Sequence, residues 1–141
     1  MVMVPSSARS AAPSDITGAW MTDDGQAVIE VNACGDLRCG RIVWLKTPLD
    51  AKGRPLHDAN NPNPAERQRL ICGIQIVDGL KLQRDGSWDA GRIYDPEEGK
   101  SYDAMMKASG SRLEVTGYIG LKLMGETVVW TRQTAQFTPC R

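Results

Sequence analysis

The segment from Ser87 to Arg132 constrains the fold most, because short apolar runs alternate there with turn residues at nearly regular spacing. Apolar and charged residues alternate around residue 114: Leu113 and Val115 occupy odd-numbered positions, and Arg112 and Glu114 occupy even-numbered positions. This alternation is typical of a strand with one buried face and one solvent-exposed face. No stretch of similar length has the period of a long helix. The segment therefore predicts an antiparallel meander.

Length and composition extend this prediction to the whole chain. With 141 residues, the chain is expected to form one domain. Its 14 glycines and 8 prolines suit many tight turns between short strands. The 17 basic side chains balance the 17 acidic ones, so composition gives no support for a nucleic-acid partner. No apolar run reaches the roughly 20 residues of a membrane-spanning helix, and we expect no membrane span.

The N-terminal residues differ in composition from the rest. Residues 1–15, MVMVPSSARSAAPSD, are small, polar and interrupted by proline. We interpret them as a disordered lead-in or the remnant of an export signal. Residues 16–141 are then the single folded domain.

Eight strands can be read between residues 16 and 132. One of them is placed at Ile71–Val77 and is expected to stop at a turn formed by Asp78 and Gly79. The other seven are Ile16–Thr22, Ala27–Ala33, Leu37–Lys46, Trp88–Tyr94, Ser101–Lys107, Arg112–Ile119 and Thr127–Arg132. Eight antiparallel strands can close into an up-and-down barrel, which removes exposed sheet edges. The interior of such a barrel is either filled by side chains or able to hold one small ligand.

The four cysteines favour disulfide chemistry over a metal site. Cys34 and Cys39 flank the turn of a predicted hairpin, where their Cβ atoms can approach to disulfide distance. Structural zinc sites usually combine two close pairs of ligands, and here only this pair is close in sequence. We therefore predict a disulfide between Cys34 and Cys39. Cys72 and Cys140 can pair if the C-terminal segment folds back, but the sequence does not require it.

A long polar segment follows Trp44. The stretch from Thr47 to Pro64 is rich in proline and asparagine and cannot pair continuously in a sheet. Asn63 followed by Pro64 predicts the start of a short helix that runs towards residue 69. The segment is either a simple connection or a lid over one end of the barrel. Its His57 is the only histidine of the chain, and a lone loop histidine is more often solvated than catalytic.

The turn Asp95–Lys100 contains three carboxylates within four residues. Calcium loops of the helix-loop-helix type need carboxylates at alternate positions, which this stretch lacks. We interpret it as a hairpin turn and expect no metal ion and no other cofactor.

Several motifs resemble those of the bacterial secreted family named domain of unknown function 2147. They are Gly18 with Trp20, Cys34 with Cys39–Leu45, Asn61–Pro64, Gly91–Pro96 with Gly99–Tyr102, and Gly117–Gly120 with Trp130–Arg132. The resemblance covers residues 16–132. It implies an all-β, lipocalin-like barrel in a periplasmic or secreted protein with no agreed biochemical activity.

Two functions are compatible with such a barrel. The first is binding of a small apolar or amphipathic ligand in the barrel, by a monomer or weak dimer. Amphipathic aromatic rings and adaptable methionines predict its site, namely Trp44, Tyr94, Met105, Met106, Tyr118 and Trp130. The alternative is a cell-envelope interaction module with a filled barrel, whose loop Thr47–Pro64 contacts a protein or polysaccharide. No nucleophile motif, histidine pair or phosphate loop is present, so we do not expect an enzyme.

Overall fold

A computed structural model describes residues 15–140 of the protein. The predicted lead-in, residues 1–15, lies outside this range except for Asp15. The described residues form eight strands, which are β1 (Gly18–Met21), β2 (Ala27–Cys34), β3 (Leu37–Leu45), β4 (Gln75–Leu82), β5 (Trp88–Asp95), β6 (Lys100–Ser109), β7 (Arg112–Tyr118) and β8 (Glu126–Arg132). The helical content of this range is limited to two 3₁₀ turns, Pro64–Glu66 and Lys122–Met124.

The strands form one closed antiparallel barrel in sequence order. Each strand pairs with the next along the chain, and β1 closes the barrel on β8 by pairing Trp20 with Arg132 and Met21 with Thr131. This up-and-down topology confirms the predicted fold class. It also places the β1–β2, β3–β4, β5–β6 and β7–β8 connections together at one end, which we call the open end. The other three connections lie at the opposite, closed end.

Large apolar side chains fill the closed half. Trp20, Leu80, Met106 and Leu113 are fully buried there, and Trp88 is 4% exposed. Burial of such side chains is worth roughly 1.5–3 kcal/mol each, so this half supplies much of the stability.

Two arginines cover tryptophans of this core. The guanidinium carbon of Arg132 lies 4.1 Å from the ring centre of Trp20, and that of Arg38 lies 4.4 Å from the ring centre of Trp88. Arg132 also donates a hydrogen bond to the Thr17 carbonyl at 3.1 Å. Gly18 leaves room for this side chain, because a Cβ at Gly18 would lie 2.7 Å from Nη1 of Arg132. Cation–π contacts with Arg38 and Arg132 therefore cover two tryptophans of the core at the closed end.

Strand β4 differs from its predicted position. It begins at Gln75 and continues to Leu82, so Ile71 lies in the preceding loop and Asp78 and Gly79 lie inside the strand. Gly79 has a φ of +71°, and the register between β3 and β4 is irregular in this region. The glycine permits a bulge where the sequence indicated a turn, because a left-handed residue suits either one.

Candidate functional site

The open half of the barrel contains a cavity of about 1000 Å³. Its walls are side chains from β2 to β8 together with parts of the long β3–β4 loop. The apolar lining residues include Ala27, Ile29, Ile42, Leu45, Leu56, Ile71, Ile76, Ile93, Val115 and Trp130. Small-molecule sites usually measure about 300–1,000 Å³ and have mostly apolar walls. The cavity is therefore large enough to enclose most of a small amphiphile.

Acidic side chains surround the opening of the cavity. Three connections or strand ends contribute them: Asp23 and Asp24 from β1–β2, Asp95, Glu97 and Glu98 from β5–β6, and Glu126 from the start of β8. Among residues 15–140, no lysine or arginine borders the cavity. The mouth thus combines an apolar interior with a negatively charged rim.

The β3–β4 loop forms one side of the mouth. It folds back on itself through two isolated bridges, between Leu49 and Pro55 and between His57 and Leu70. The Ile71 N–H donates to the Leu56 carbonyl at 3.0 Å, and the side chains of both residues belong to the lining. The predicted helix in this loop is the 3₁₀ turn Pro64–Glu66. The loop therefore belongs to the cavity wall.

A buried carboxylate, Asp58, holds this loop on the barrel. Its side chain is fully buried and accepts hydrogen bonds from the Tyr94 hydroxyl at 2.7 Å, Asn61 Nδ2 at 2.8 Å and Arg69 Nε at 3.0 Å. A buried charge is tolerated only when it is paired and hydrogen-bonded, as here. Burial and the hydrogen bond to Asp58 raise the pKa of Tyr94 to about 12. Asp58 thereby links the loop to β5.

A second contact joins the loop to the β5–β6 turn. Nδ2 of Asn60 donates to the Glu97 carbonyl at 2.9 Å. Gly99 of this turn has a φ of +70°, and a Cβ there would overlap the backbone carbonyl of Asn60. Only glycine satisfies both the left-handed backbone and this close approach. The turn itself is an Asx turn, in which Oδ1 of Asp95 accepts the Glu97 N–H at 2.9 Å.

Asp89, the second residue of β5, bonds the end of β7 and the β7–β8 connection to the barrel wall. Oδ1 of Asp89 accepts the Tyr118 hydroxyl at 2.8 Å, and Oδ2 accepts Nζ of Lys122. Burial opposes ionisation of Asp89, but hydrogen bonds from Lys122, the Ala90 N–H and Tyr118 outweigh it, so its pKa lies below the usual value. Burial and the bond to Asp89 raise the pKa of Tyr118 to about 12. These bonds hold the start of the β7–β8 connection.

The chain matches one family of bacterial proteins. A family model described as "Uncharacterized protein conserved in bacteria (DUF2147)" covers residues 18–132. The chain belongs to this family, which confirms the resemblance found in the sequence. No curated protein matches the chain.

A solved structure shows the same fold. It is described as "Protein HP1028 from the human pathogen Helicobacter pylori belongs to the lipocalin family" and superposes with a TM-score of 0.74. The two proteins share 23% identity over 85% of this chain and 84% of the other. At this identity the similarity establishes the lipocalin-like fold and carries no functional residue across.

The structure brings three of the predicted ligand contacts to the cavity. Tyr94, Tyr118 and Trp130 border it. The hydroxyl groups of Tyr94 and Tyr118 are already bonded to Asp58 and Asp89, so these tyrosines also fix the surrounding wall.

The other three predicted contacts, Trp44, Met105 and Met106, do not line the cavity. In β3, Ile42 pairs with Ile29 and Trp44 pairs with Val28, which leaves Val43 as an extra residue. This bulge reverses the alternation, so Leu45 lines the cavity and Trp44 is directed away from it.

The two methionines lie elsewhere for different reasons. Met106 is fully buried in the closed half and pairs with Val115 and Trp88. Met105 has the opposite parity and pairs with Thr116, which places it on the outer face.

Sequence reasoning missed most of the lining. Leu56 and Ile71 come from the loop, where no alternation marks an inward-facing residue. Asp58 was missed because its neighbours His57, Ala59 and Asn60 are exposed and polar or small, which indicates a solvated loop.

His57 borders the cavity mouth and is exposed. Among residues 15–140, no group of three His, Cys, Asp or Glu side chains is placed to hold a metal ion.

Both pairs of cysteines form disulfides. Cys34 and Cys39 lie on the same face of the β2–β3 hairpin in diagonal positions, since Cys34 pairs with Leu37 and Cys39 with Asn32. They are therefore close without being directly opposite.

The second disulfide joins Cys72 of the β3–β4 loop to Cys140. The Cys140 N–H donates to the Val43 carbonyl at 2.6 Å. The C-terminal segment thus folds back over β3, which answers the question that the sequence left open.

Proposed function

We propose that this protein is an exported carrier or sensor that binds a small apolar or amphipathic ligand in the open half of its barrel. The observation that carries the proposal is the cavity of about 1000 Å³, with an apolar interior and a polar rim. A bound tail would be shielded from water by strands and by the β3–β4 loop. The proposal assigns binding rather than catalysis to this site.

Export is supported by the two disulfides, because such bonds persist in oxidising compartments and are rare in the cytosol. Within the described part of the chain, the structure contains no helix of the length and apolar character needed to cross a membrane.

The proposal predicts a dependence of affinity on tail length. Each buried methylene contributes about 0.8 kcal/mol, so affinity for a series of linear alcohols should rise about fourfold per carbon until the cavity is full. Displacement of the neutral fluorescent probe N-phenyl-1-naphthylamine would measure this. Absence of probe binding, with no ligand found by native mass spectrometry of the purified protein, would refute the proposal.

A pair of alanines on β2 provides matched variants. Ala27 lines the cavity, whereas Ala33 is exposed and lies outside it. Ala27→Trp should occupy the cavity and weaken probe binding at least about tenfold, while Ala33→Trp should leave it unchanged. Equal effects of both substitutions would place the probe outside the barrel.

An interaction module remains the second candidate, and one observation favours it. The β7–β8 connection exposes Ile119, Leu121, Leu123 and Met124, with Leu123 96% exposed. Exposed apolar groups of this kind often mark contact surfaces. The cavity makes ligand binding the better supported function.

A further inference from the structure

Charge is distributed unevenly over this neutral chain. Acidic and basic side chains number 17 each, yet six carboxylates and no lysine or arginine of residues 15–140 border the cavity. None of these six takes part in an ion pair within this range. Two nearby cations are engaged elsewhere: Lys122 is paired with Asp89, and Arg69 with Asp58 and Glu66.

We propose that the ligand of this cavity has a cationic polar end, such as an ammonium group, attached to an apolar body. This inference rests on the proposed function and specifies the chemical class of its ligand. The carboxylates alone would form only a solvated acidic patch. The apolar cavity beneath them favours a ligand with an apolar tail. The charge of the rim then selects the head group.

The arrangement of the carboxylates supports this choice. They come from the β1–β2 turn, the β5–β6 turn and the start of β8, so they approach the opening from different sides of the barrel. A cleft lined by one sign of charge with low-dielectric walls focuses the field and raises the local concentration of the opposite charge. A carboxylate or sulfate head group would be repelled at the same place.

Aromatic rings at the mouth add a second attraction for a cation. Tyr94 and Tyr102 border the cavity and donate their hydroxyl hydrogens to Asp58 and Glu98. Tyr118 shares the outward parity of Thr116 and donates instead to Asp89, near the start of β5. Tyr102 has the same parity as the buried Ala104 and Met106, which directs it inward.

The π face of a tyrosine attracts cations, best of all desolvated ones. The protein already uses this chemistry at the site, because the guanidinium carbon of Arg69 lies 6.0 Å from the ring centre of Tyr94.

Three ligands with the same ten-carbon tail test the proposal. Decyltrimethylammonium, decanoate and 1-decanol would each displace N-phenyl-1-naphthylamine from the full chain, below their micelle concentrations. At low salt we expect the ammonium to bind at least about tenfold more tightly than decanoate, with decanol between them. The difference should shrink in 1 M salt, where the screening length falls to about 3 Å.

Rim variants localise the effect. Glu97→Gln with Glu126→Gln removes two rim carboxylates and should weaken binding of the ammonium about threefold, as expected for exposed charges, without changing binding of decanol. Asp36→Asn with Glu114→Gln changes the net charge equally, but both residues are exposed and outside the cavity lining. This control should leave all three affinities unchanged.

The outcomes separate the two proposals. If all three ligands bind equally, or decanoate binds best, the cationic ligand is refuted and the binding function stands. If the control variant weakens ammonium binding as much as the rim variant, the preference does not come from the rim and the inference fails. If neither the probe nor any of the three ligands binds, the proposed function fails and this inference fails with it.

Discussion

The three tyrosine–carboxylate pairs of the barrel should differ in energy according to the burial of the acceptor. Asp58 is fully buried, Asp89 is 7% exposed and Glu98 is exposed. Each tyrosine hydroxyl lies 2.6–2.8 Å from its carboxylate oxygen, so hydrogen-bond length does not distinguish the pairs. The cost of removing a hydroxyl then depends on whether water can replace it.

Tyr94→Phe should therefore destabilise the protein by about 1.5–3 kcal/mol, because it leaves a buried charge with one donor fewer. Tyr102→Phe should cost less than about 0.5 kcal/mol, since water reaches the Glu98 carboxylate. Tyr118→Phe should fall between them, because Asp89 keeps its bonds to Lys122 and the Ala90 N–H.

Urea unfolding of the oxidised protein at pH 7 would measure these differences, with the m-value as a check that the transition stays two-state. The pair Asp58→Asn and Tyr94→Phe adds a double-mutant cycle. We expect the double variant to lose less than the sum of the single losses, with a coupling of about 0.5–3 kcal/mol. Equal costs for Tyr94→Phe and Tyr102→Phe, or a coupling near zero, would refute the claim that Asp58 anchors the loop.

Three further predictions follow from the same structure. Tyr94 has its pKa raised to about 12 from an unfolded value near 10, so its contribution to stability is full below pH 10 and is lost between pH 10 and 12; Tyr94→Phe should lose less stability over that range in urea titrations. Replacing the Cys72–Cys140 disulfide by serines should cost about 4 kcal/mol and replacing Cys34–Cys39 about 2 kcal/mol, because the closed loops span 68 and 5 residues; equal losses of thermal stability would contradict this. Calorimetry of the protein with calcium should show no heat of binding at the Asp95–Gly99 turn, and a micromolar isotherm lost in Asp95→Asn would contradict it.

The strand order was predictable because the signal is local. Alternation at Leu113 and Val115 and turns rich in glycine mark most strands within one or two residues. The predicted side-chain directions and strand ends were wrong where an extra residue interrupts the inward–outward alternation of a strand. The extra Val43 in β3 directs Trp44 away from the cavity, and Gly79 continues β4 through a bulge. A bulge depends on the partner strand, which a single strand's sequence does not contain.

The β3–β4 loop was the least predictable part of the site. Its composition indicates solvation, and indeed most of its side chains are exposed. Asp58 is buried only because the loop docks on β5 and the β5–β6 turn, and its partners Tyr94 and Arg69 lie 36 and 11 residues away in sequence. Hydrogen bonds between residues so far apart in sequence produce no recognisable pattern in the local sequence. The sequence therefore left the choice between a simple connection and a lid open, and the folded structure places the loop in the cavity wall.

The cavity lies where small side chains leave part of the barrel interior unfilled. Towards the closed end, the inward positions carry Trp20, Trp88 and Leu113. Towards the open end, two inward positions carry Ala27 and Gly117 beside larger residues such as Leu45 and Tyr102, and all four border the cavity. An eight-stranded barrel has an interior just wide enough for side chains to fill, so the small residues at Ala27 and Gly117 leave room for the cavity. Large side chains thus stabilise the closed half of the barrel, and the open half of the same barrel contains the cavity.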